Sequence, residues 1–162
     1  MSSLINNLSN YDASIIPSAE AMIIGIVVAE WNKEITNALA DGAISTLIKH
    51  GAKAKDIIVK HVPGSFELPL GAQFLLEDYN VDAVIALGCI IQGETRHFDF
   101  ISQGVTQGIM QLNIDYGVPV VFGVLTTNNK QQALDRAGGK HGNKGIEAAI
   151  TAIKMIDLSQ NM

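Results

Sequence analysis

Four short runs dominated by Val and Ile, from Ala21 to Ala29, Asp56 to Val62, Val81 to Ile91 and Val118 to Leu125, recur along a chain of 162 residues. They are nearly continuous in apolar residues rather than alternating, the pattern of strands covered on both faces in a parallel sheet. Parallel neighbours cannot be joined by a tight turn, so each run needs a crossover, and the intervening segments carry helical spacing. Ile35, Leu39, Ala43 and Leu47 share one helical face, with Gly51 as the stop. Phe66 to Tyr79 opens with Glu67 and Pro69, and Ile101 to Tyr116 ends at Gly117. A last helical region opens at Asn129 with Gln132 in capping-box spacing, meets a glycine-rich interruption, and resumes through Ile146, Ala149, Ile150, Ile153 and Ile156. Asn32 reads as an N-cap, and His50, in the last turn before Gly51, as a cation favoured by the helix dipole. The alternation predicts a three-layer α/β/α sandwich around a four-stranded parallel sheet with right-handed crossovers.

Residues 1–20 read as an N-terminal arm, 21–158 as a single domain and 159–162 as a tail. With 48% hydrophobic and only 17% charged residues the chain is not disordered, and a monomer so poor in charge would expose much apolar surface. Association with other subunits is therefore expected. The net charge of -5 gives no basic footprint for nucleic acid, so any bound anion needs a local cluster of cations. Cys89 is the single cysteine, and no Cys or His pair has zinc-ligand spacing; neither a metal nor a disulfide is expected. No apolar stretch approaches the roughly 20 residues that span a bilayer, and no basic start precedes an apolar run, which predicts a cytoplasmic protein without a membrane partner.

In open parallel α/β sheets ligands bind outside the carboxyl ends of the strands, so the post-strand residues are the ones to inspect. Glu30-Trp31-Asn32 follow the first run, Pro63-Gly64-Ser65-Phe66-Glu67 the second, and Gln92-Gly93-Glu94-Thr95-Arg96-His97-Phe98 the third. Phe122-Gly123 and Thr126-Thr127 are read at the end of the fourth. Aromatics, hydroxyls, a carboxylate and a histidine on one edge make the composition of a small-molecule site. Each also has a plain structural reading: Trp31 as a core cap, Glu67 as a helix N-terminal complement, Phe66 and Phe122 as core, His97 as a structural loop residue. His97, flanked by Phe98 and Phe100, has a partly apolar setting suited to proton transfer. From Arg136 to Lys144 three cations interleave with glycines, which reads either as an anion site or as a solvated helix junction. Gly138-Gly139-Lys140 is followed by His141 rather than Ser or Thr, so it is not a P-loop.

Four segments together resemble one family. Pro63-Gly64-Ser65-Phe66-Glu67-Leu68-Pro69, Gly88 to Asp99, Phe122 to Thr127 and Arg136 to Gly145 are similar, in order and spacing, to the signature segments of the lumazine synthases, and the similarity runs from about Ile24 to Ile156. The resemblance implies a flavodoxin-like fold whose sheet the N-terminal arm of a neighbouring subunit could extend. It implies condensation of 5-amino-6-(D-ribitylamino)uracil with 3,4-dihydroxy-2-butanone 4-phosphate, without cofactor, to 6,7-dimethyl-8-ribityllumazine, the penultimate step of riboflavin biosynthesis. His97 matches the proton-transfer residue. Trp31, Ser65, Phe66, Glu67, Cys89, Ile90, Ile91 and Phe122 match contacts to the ribitylaminouracil. Glu94, Thr95 and Arg136 match contacts to the butanone phosphate, with Lys144 as an accessory cation.

In the family Phe122 and Arg136 would come from the adjacent subunit of a pentamer. Members are pentamers, or twelve pentamers in an icosahedral shell of sixty chains, and association with riboflavin synthase is a further expectation. The turn from Gly138 to Gly145, without insertion, resembles the shell-forming type. Trp31 stands where many members have Phe, and Glu30 and Gln92 where many carry a cation. The rivals are a flavin-binding module of the same fold and a shell protein without turnover.

Overall fold

The computed structural model describes residues 9–162. The first eight residues of the expected arm lie outside the described residues. β1 (Ile24–Ala29), α1 (Lys33–Lys49), β2 (Ile57–Val62), α2 (Leu68–Asp78), β3 (Ala83–Ile91), α3 (His97–Tyr116) and β4 (Val120–Thr127) alternate as the pattern requires. The sheet is parallel throughout, in the order β2-β1-β3-β4. Its side chains divide by the two-residue period of a strand. Ile24, Ile26 and Val28 of β1 and Ile85, Leu87 and Cys89 of β3 pack under α1 and α5 (Lys144–Gln160), whereas Val27, Ala29, Val84, Ala86 and Ile90 pack under α2 and α3. Both faces of β1 and β3 are thus covered, which explains their unbroken apolar runs. β2 departs from the expectation of double coverage: it is the edge strand, and Lys60 and His61 are exposed on it.

Three further expectations are corrected. α2 starts at Leu68 rather than Phe66, because residues Ser65–Glu67 form a separate 3-10 turn and Pro69 fixes the first helical turn. The glycine-rich interruption after α4 (Lys130–Asp135) is an antiparallel hairpin of β5 (Ala137–Gly139) and β6 (Gly142–Asn143), with Gly138 and Gly142 at positive φ. His50 is the C-cap residue of α1, as its position before Gly51 predicts, but not as a cation: its Nε2 is hydrogen-bonded to the Tyr11 hydroxyl at 3.0 Å, and burial, with Lys49 beside it, holds its pKa below the usual imidazole value. The neutral ring is favoured, and the bond to Tyr11 ties the described part of the N-terminal segment to the end of α1.

Other signals hold. Gly51 and Gly117 both stop helices at positive φ. Asn129 caps α4 by accepting from the Gln132 N–H at 2.9 Å, while the Gln132 amide oxygen accepts from the Asn128 N–H, one residue earlier than in the usual capping box. α5 begins at an unusually close approach, since a Cβ on Gly145 would lie 1.8 Å from the Leu39 carbonyl oxygen of α1. Asn143 locks that junction: its side chain accepts from the Gly145 N–H at 2.8 Å and donates to the Ala38 carbonyl at 2.9 Å.

Candidate functional site

The sheet order reverses between β1 and β3, because the chain leaves β1 for β2 on one side and returns to β3 on the other. A crevice at the carboxyl ends follows from the divergence of the two crossovers. A cleft of about 560 Å³ opens there, lined by Trp31, Asn32, Gly64, Ser65, Phe66, Glu67, Cys89, Ile90, Ile91, His97 and Ile101. Eight of the residues expected in the site are therefore brought together by three strand ends that are far apart in sequence. Gly64, Asn32 and Ile101 line the cleft as well; Ile101 faces it from the first turns of α3, a placement that no local pattern marks.

Each wall has a local cause. Glu30 and Trp31 continue beside β2, donating to the carbonyls of Val62 and Pro63 at 2.8 and 3.2 Å, so the indole leaves the sheet at a fixed height. Trp31 is 73% exposed and Phe66 60% exposed, so neither is the core residue that a plain structural reading offered. Two bare aromatic faces on opposite loops are costly in water unless a flat partner covers them. Glu67 stands at the N-cap position of α2 but makes no side-chain cap bond; its carboxylate folds back over Gly64 instead. The Ser65 hydroxyl is buried with no hydrogen-bond partner among the described residues, a cost that a ligand hydroxyl would remove. Cys89 is buried, and desolvation pushes its thiol up to about 11, so it is an inert wall rather than a nucleophile.

His97 is not in a loop as expected: α3 begins at His97 rather than at Ile101, and the side chain is exposed at the cleft. The apolar setting expected around it is not built by one chain: Phe98 packs inward on the α2–α3 side of the core, and Phe100 is 67% exposed. Glu94 and Thr95 are exposed in the loop before it and do not line the cleft; the Thr95 hydroxyl accepts from the His97 N–H at 3.4 Å.

Two more expected site residues, besides Glu94 and Thr95, lie outside the cleft. Phe122 is not at the carboxyl end of β4 but pairs with Ala86 in mid-strand, and it lines two other grooves, one with Met110 and Thr126, the other with Lys144 and Met155. The apolar run ends at Leu125 while the strand continues through Thr126 and Thr127, which puts Phe122 farther from the strand's carboxyl end than the run suggests. Arg136 caps the C-terminus of α4, outside the cleft. The cation cluster is also less uniform than its sequence. Lys140 is paired with Asp135 at 3.3 Å and Lys144 with Glu147 at 3.0 Å, whereas Arg136 has no carboxylate partner among the described residues. Arg136 is thus the member left with charge for an external anion.

Fold and cleft together define an α/β protein with an aromatic-lined crevice at the switch point of a parallel sheet, with Phe122 and Arg136 outside that crevice. The sequence model of the 6,7-dimethyl-8-ribityllumazine synthase family matches residues 21–160. The chain is 57% identical over 159 residues to a 6,7-dimethyl-8-ribityllumazine synthase of Parabacteroides distasonis, covering 98% of this chain and 99% of that protein. It is 58% identical over 160 residues to that of Porphyromonas gingivalis, covering 99% of each, and 60% identical over 156 residues to that of Cytophaga hutchinsonii, covering 96% and 98%. The chain belongs to the 6,7-dimethyl-8-ribityllumazine synthase family.

Proposed function

We propose that the cleft condenses 5-amino-6-(D-ribitylamino)uracil with 3,4-dihydroxy-2-butanone 4-phosphate to 6,7-dimethyl-8-ribityllumazine, releasing phosphate and water. The activity is that of the family, a transferase step of riboflavin biosynthesis. The observation that carries the assignment of roles is the meeting of Trp31, Phe66, Glu67, the Ser65 hydroxyl and His97 around one cleft. Trp31 and Phe66 supply faces for the pyrimidine. Ser65 and Glu67 hold ribityl hydroxyls, and the Ser65 oxygen gains the partner it lacks. Cys89, Ile90 and Ile91, at the end of β3, run alongside the heterocycle and present backbone N–H and C=O groups to it. Glu94 and Thr95 receive the butanone phosphate, with backbone and hydroxyl donors.

The uracil amine attacks the ketone to form an imine with loss of water. A proton is then removed, phosphate is eliminated, and closure of the second ring releases another water. His97 carries the proton, a contribution of roughly 10² to 10⁴-fold for a positioned acid-base group, and holding both substrates together supplies much of the rest. Arg136 neutralises the departing phosphate.

Phe122 and Arg136 act from the adjacent subunit of a homo-oligomer, with the pentamer as the smallest complete unit. Their placement away from the cleft supports this, as does the apolar surface left on α2 and α3, where Phe74 is 53% and Ile114 73% exposed. The twelve-pentamer shell, residence in the cytoplasm, association with riboflavin synthase and the division into arm 1–20, domain 21–158 and tail 159–162 belong to the same reading. No helix among the described residues is long and apolar enough to cross a membrane.

Mixing the protein with both substrates and following lumazine fluorescence together with phosphate release tests the activity. Neither product above the uncatalysed rate defeats it. Sedimentation tests the assembly: one species near 87 kDa, about five times 17.3 kDa, rules out the shell.

A further inference from the structure

Asn32 is the one described residue other than glycine with a positive φ, at φ 61° and ψ 47°. Asparagine tolerates this left-handed region better than most residues, but the conformation persists only where the surroundings enforce it. The expected role, an N-cap of α1, does not explain it, because the Asn32 side chain makes no cap bond. Its backbone carbonyl alone starts the helix, accepting from the N–H groups of Ile35 and Thr36 at 2.9 and 3.1 Å. The side chain points the other way, and its Nδ2 donates to the Cys89 carbonyl at 2.9 Å.

That carbonyl explains the geometry. Backbone pairing between β1 and β3 ends at Val28 with Leu87, whereas β3 continues to Ile91. Cys89 lies beyond the last rung and is buried, so its carbonyl needs a donor that β1 no longer offers. The Asn32 amide supplies one more rung from a side chain. The left-handed turn is what brings that amide back across the gap while the chain rises into α1. Trp31 is then held between two anchors, its own N–H on the Pro63 carbonyl and its successor's side chain on Cys89.

We propose that Asn32 is a positioning residue for Trp31: its amide, fastened to the end of β3, fixes the indole at the height and angle at which it stacks on the planar heterocyclic substrate. It acts through Trp31 and so governs the planar substrate rather than the phosphorylated one. The proposal rests on the reading of the cleft as the lumazine-forming site, and one arm of its test does not depend on that reading.

Trp31 is the only tryptophan of the chain, so intrinsic fluorescence reports this indole alone. Asn32→Gly keeps the left-handed backbone and deletes the amide; Asn32→Asp keeps the shape but replaces the donor by an acceptor facing the Cys89 carbonyl. In the substrate-free protein both variants should lower the Trp31 fluorescence anisotropy and increase its quenching by acrylamide, with the oligomer unchanged by sedimentation. With both substrates, both variants should raise KM for the ribitylaminouracil about tenfold and leave KM for the butanone phosphate within twofold, with kcat at saturation largely retained.

Anisotropy and quenching equal to wild type in Asn32→Gly would overturn the proposal. So would equal rises in both KM values, or a loss of kcat with a large fall in Tm, either of which makes the residue merely structural. If the unsubstituted protein forms no lumazine, the functional reading fails, while the fluorescence arm still decides whether Asn32 fixes the indole.

Discussion

The carboxyl-edge cleft and the surface that carries Phe122 and Arg136 are built on different terms. The cleft is assembled within one chain from loop residues whose backbones are pinned to strand ends, and it leaves Trp31, Phe66 and His97 open. The second surface is fixed by backbone approach and capping: Gly145 against Leu39, Asn143 bridging α1 and α5, Lys140 and Lys144 paired with carboxylates of their own chain. One region presents open side chains around a crevice, and the other is held together by close backbone approach, capping and ion pairs within the chain. The difference teaches that burial alone does not mark a candidate residue outside a cleft: Arg136, half-buried at the end of α4, resembles an ordinary surface residue of its chain.

The contrast is broken most severely by Gly145→Ala. Its Cβ would enter the Leu39 carbonyl, so α1 and α5 must separate; the expected cost is about 3 kcal/mol or more, read as a fall in the denaturation midpoint or loss of soluble protein. The same substitution at Gly93, where nothing lies within 4 Å, should change stability by less than about 0.5 kcal/mol. Next comes His97→Ala, expected to lower kcat by roughly 10²-fold with the fold intact by circular dichroism.

Arg136→Ala should raise KM for the butanone phosphate by about tenfold or more, as loss of a charge-assisted contact does, and leave KM for the uracil nearly unchanged. Equal effects on both substrates would count against a phosphate role. The division between chains is tested by unfolding and co-refolding Trp31→Ala with Arg136→Ala in equal amounts. If the two residues serve one site across a boundary, about a quarter of the boundaries of a cyclic oligomer recover both native groups, and activity exceeds that of either variant alone. Activity at the mean of the two parents would place both residues in one chain's site.

The smallest effect concerns the N-terminal segment. The native His50 pKa lies below its unfolded value of about 6.5, so its contribution to stability is present above that pH and declines as pH falls through and below it, when the unfolded chain binds the proton more readily. His50→Gln should flatten the fall in Tm between pH 7 and pH 5 by a degree or a few, and an unchanged slope would remove His50 from the account.

The fold was largely legible because burial on two faces writes itself into β1 and β3 as unbroken apolar runs, and because Gly51, Gly117 and Asn129 end or begin helices by local chemistry. The cleft was legible because post-strand loops carry residues that a core does not need, such as Trp31 after β1 and Ser65 to Glu67 after β2. The hairpin between α4 and α5 was not, since its glycines fit a strained turn as well as an anion loop. Nor was the role of Asn32, because an asparagine before a helix satisfies the N-cap rule whether its side chain turns toward the helix or away from it.

Sequence alone determined the parallel α/β architecture, eight of the residues that line the cleft and, through four spaced segments, the family. Those are properties of local pattern and residue type. Only the tertiary structure decided that Phe122 sits in mid-strand, that Lys140 and Lys144 pair with carboxylates while Arg136 has none among the described residues, and that the Asn32 amide completes the ladder beyond Leu87. Each of these depends on where a carbonyl or carboxylate distant in sequence comes to rest, and spacing along one chain does not encode that distance.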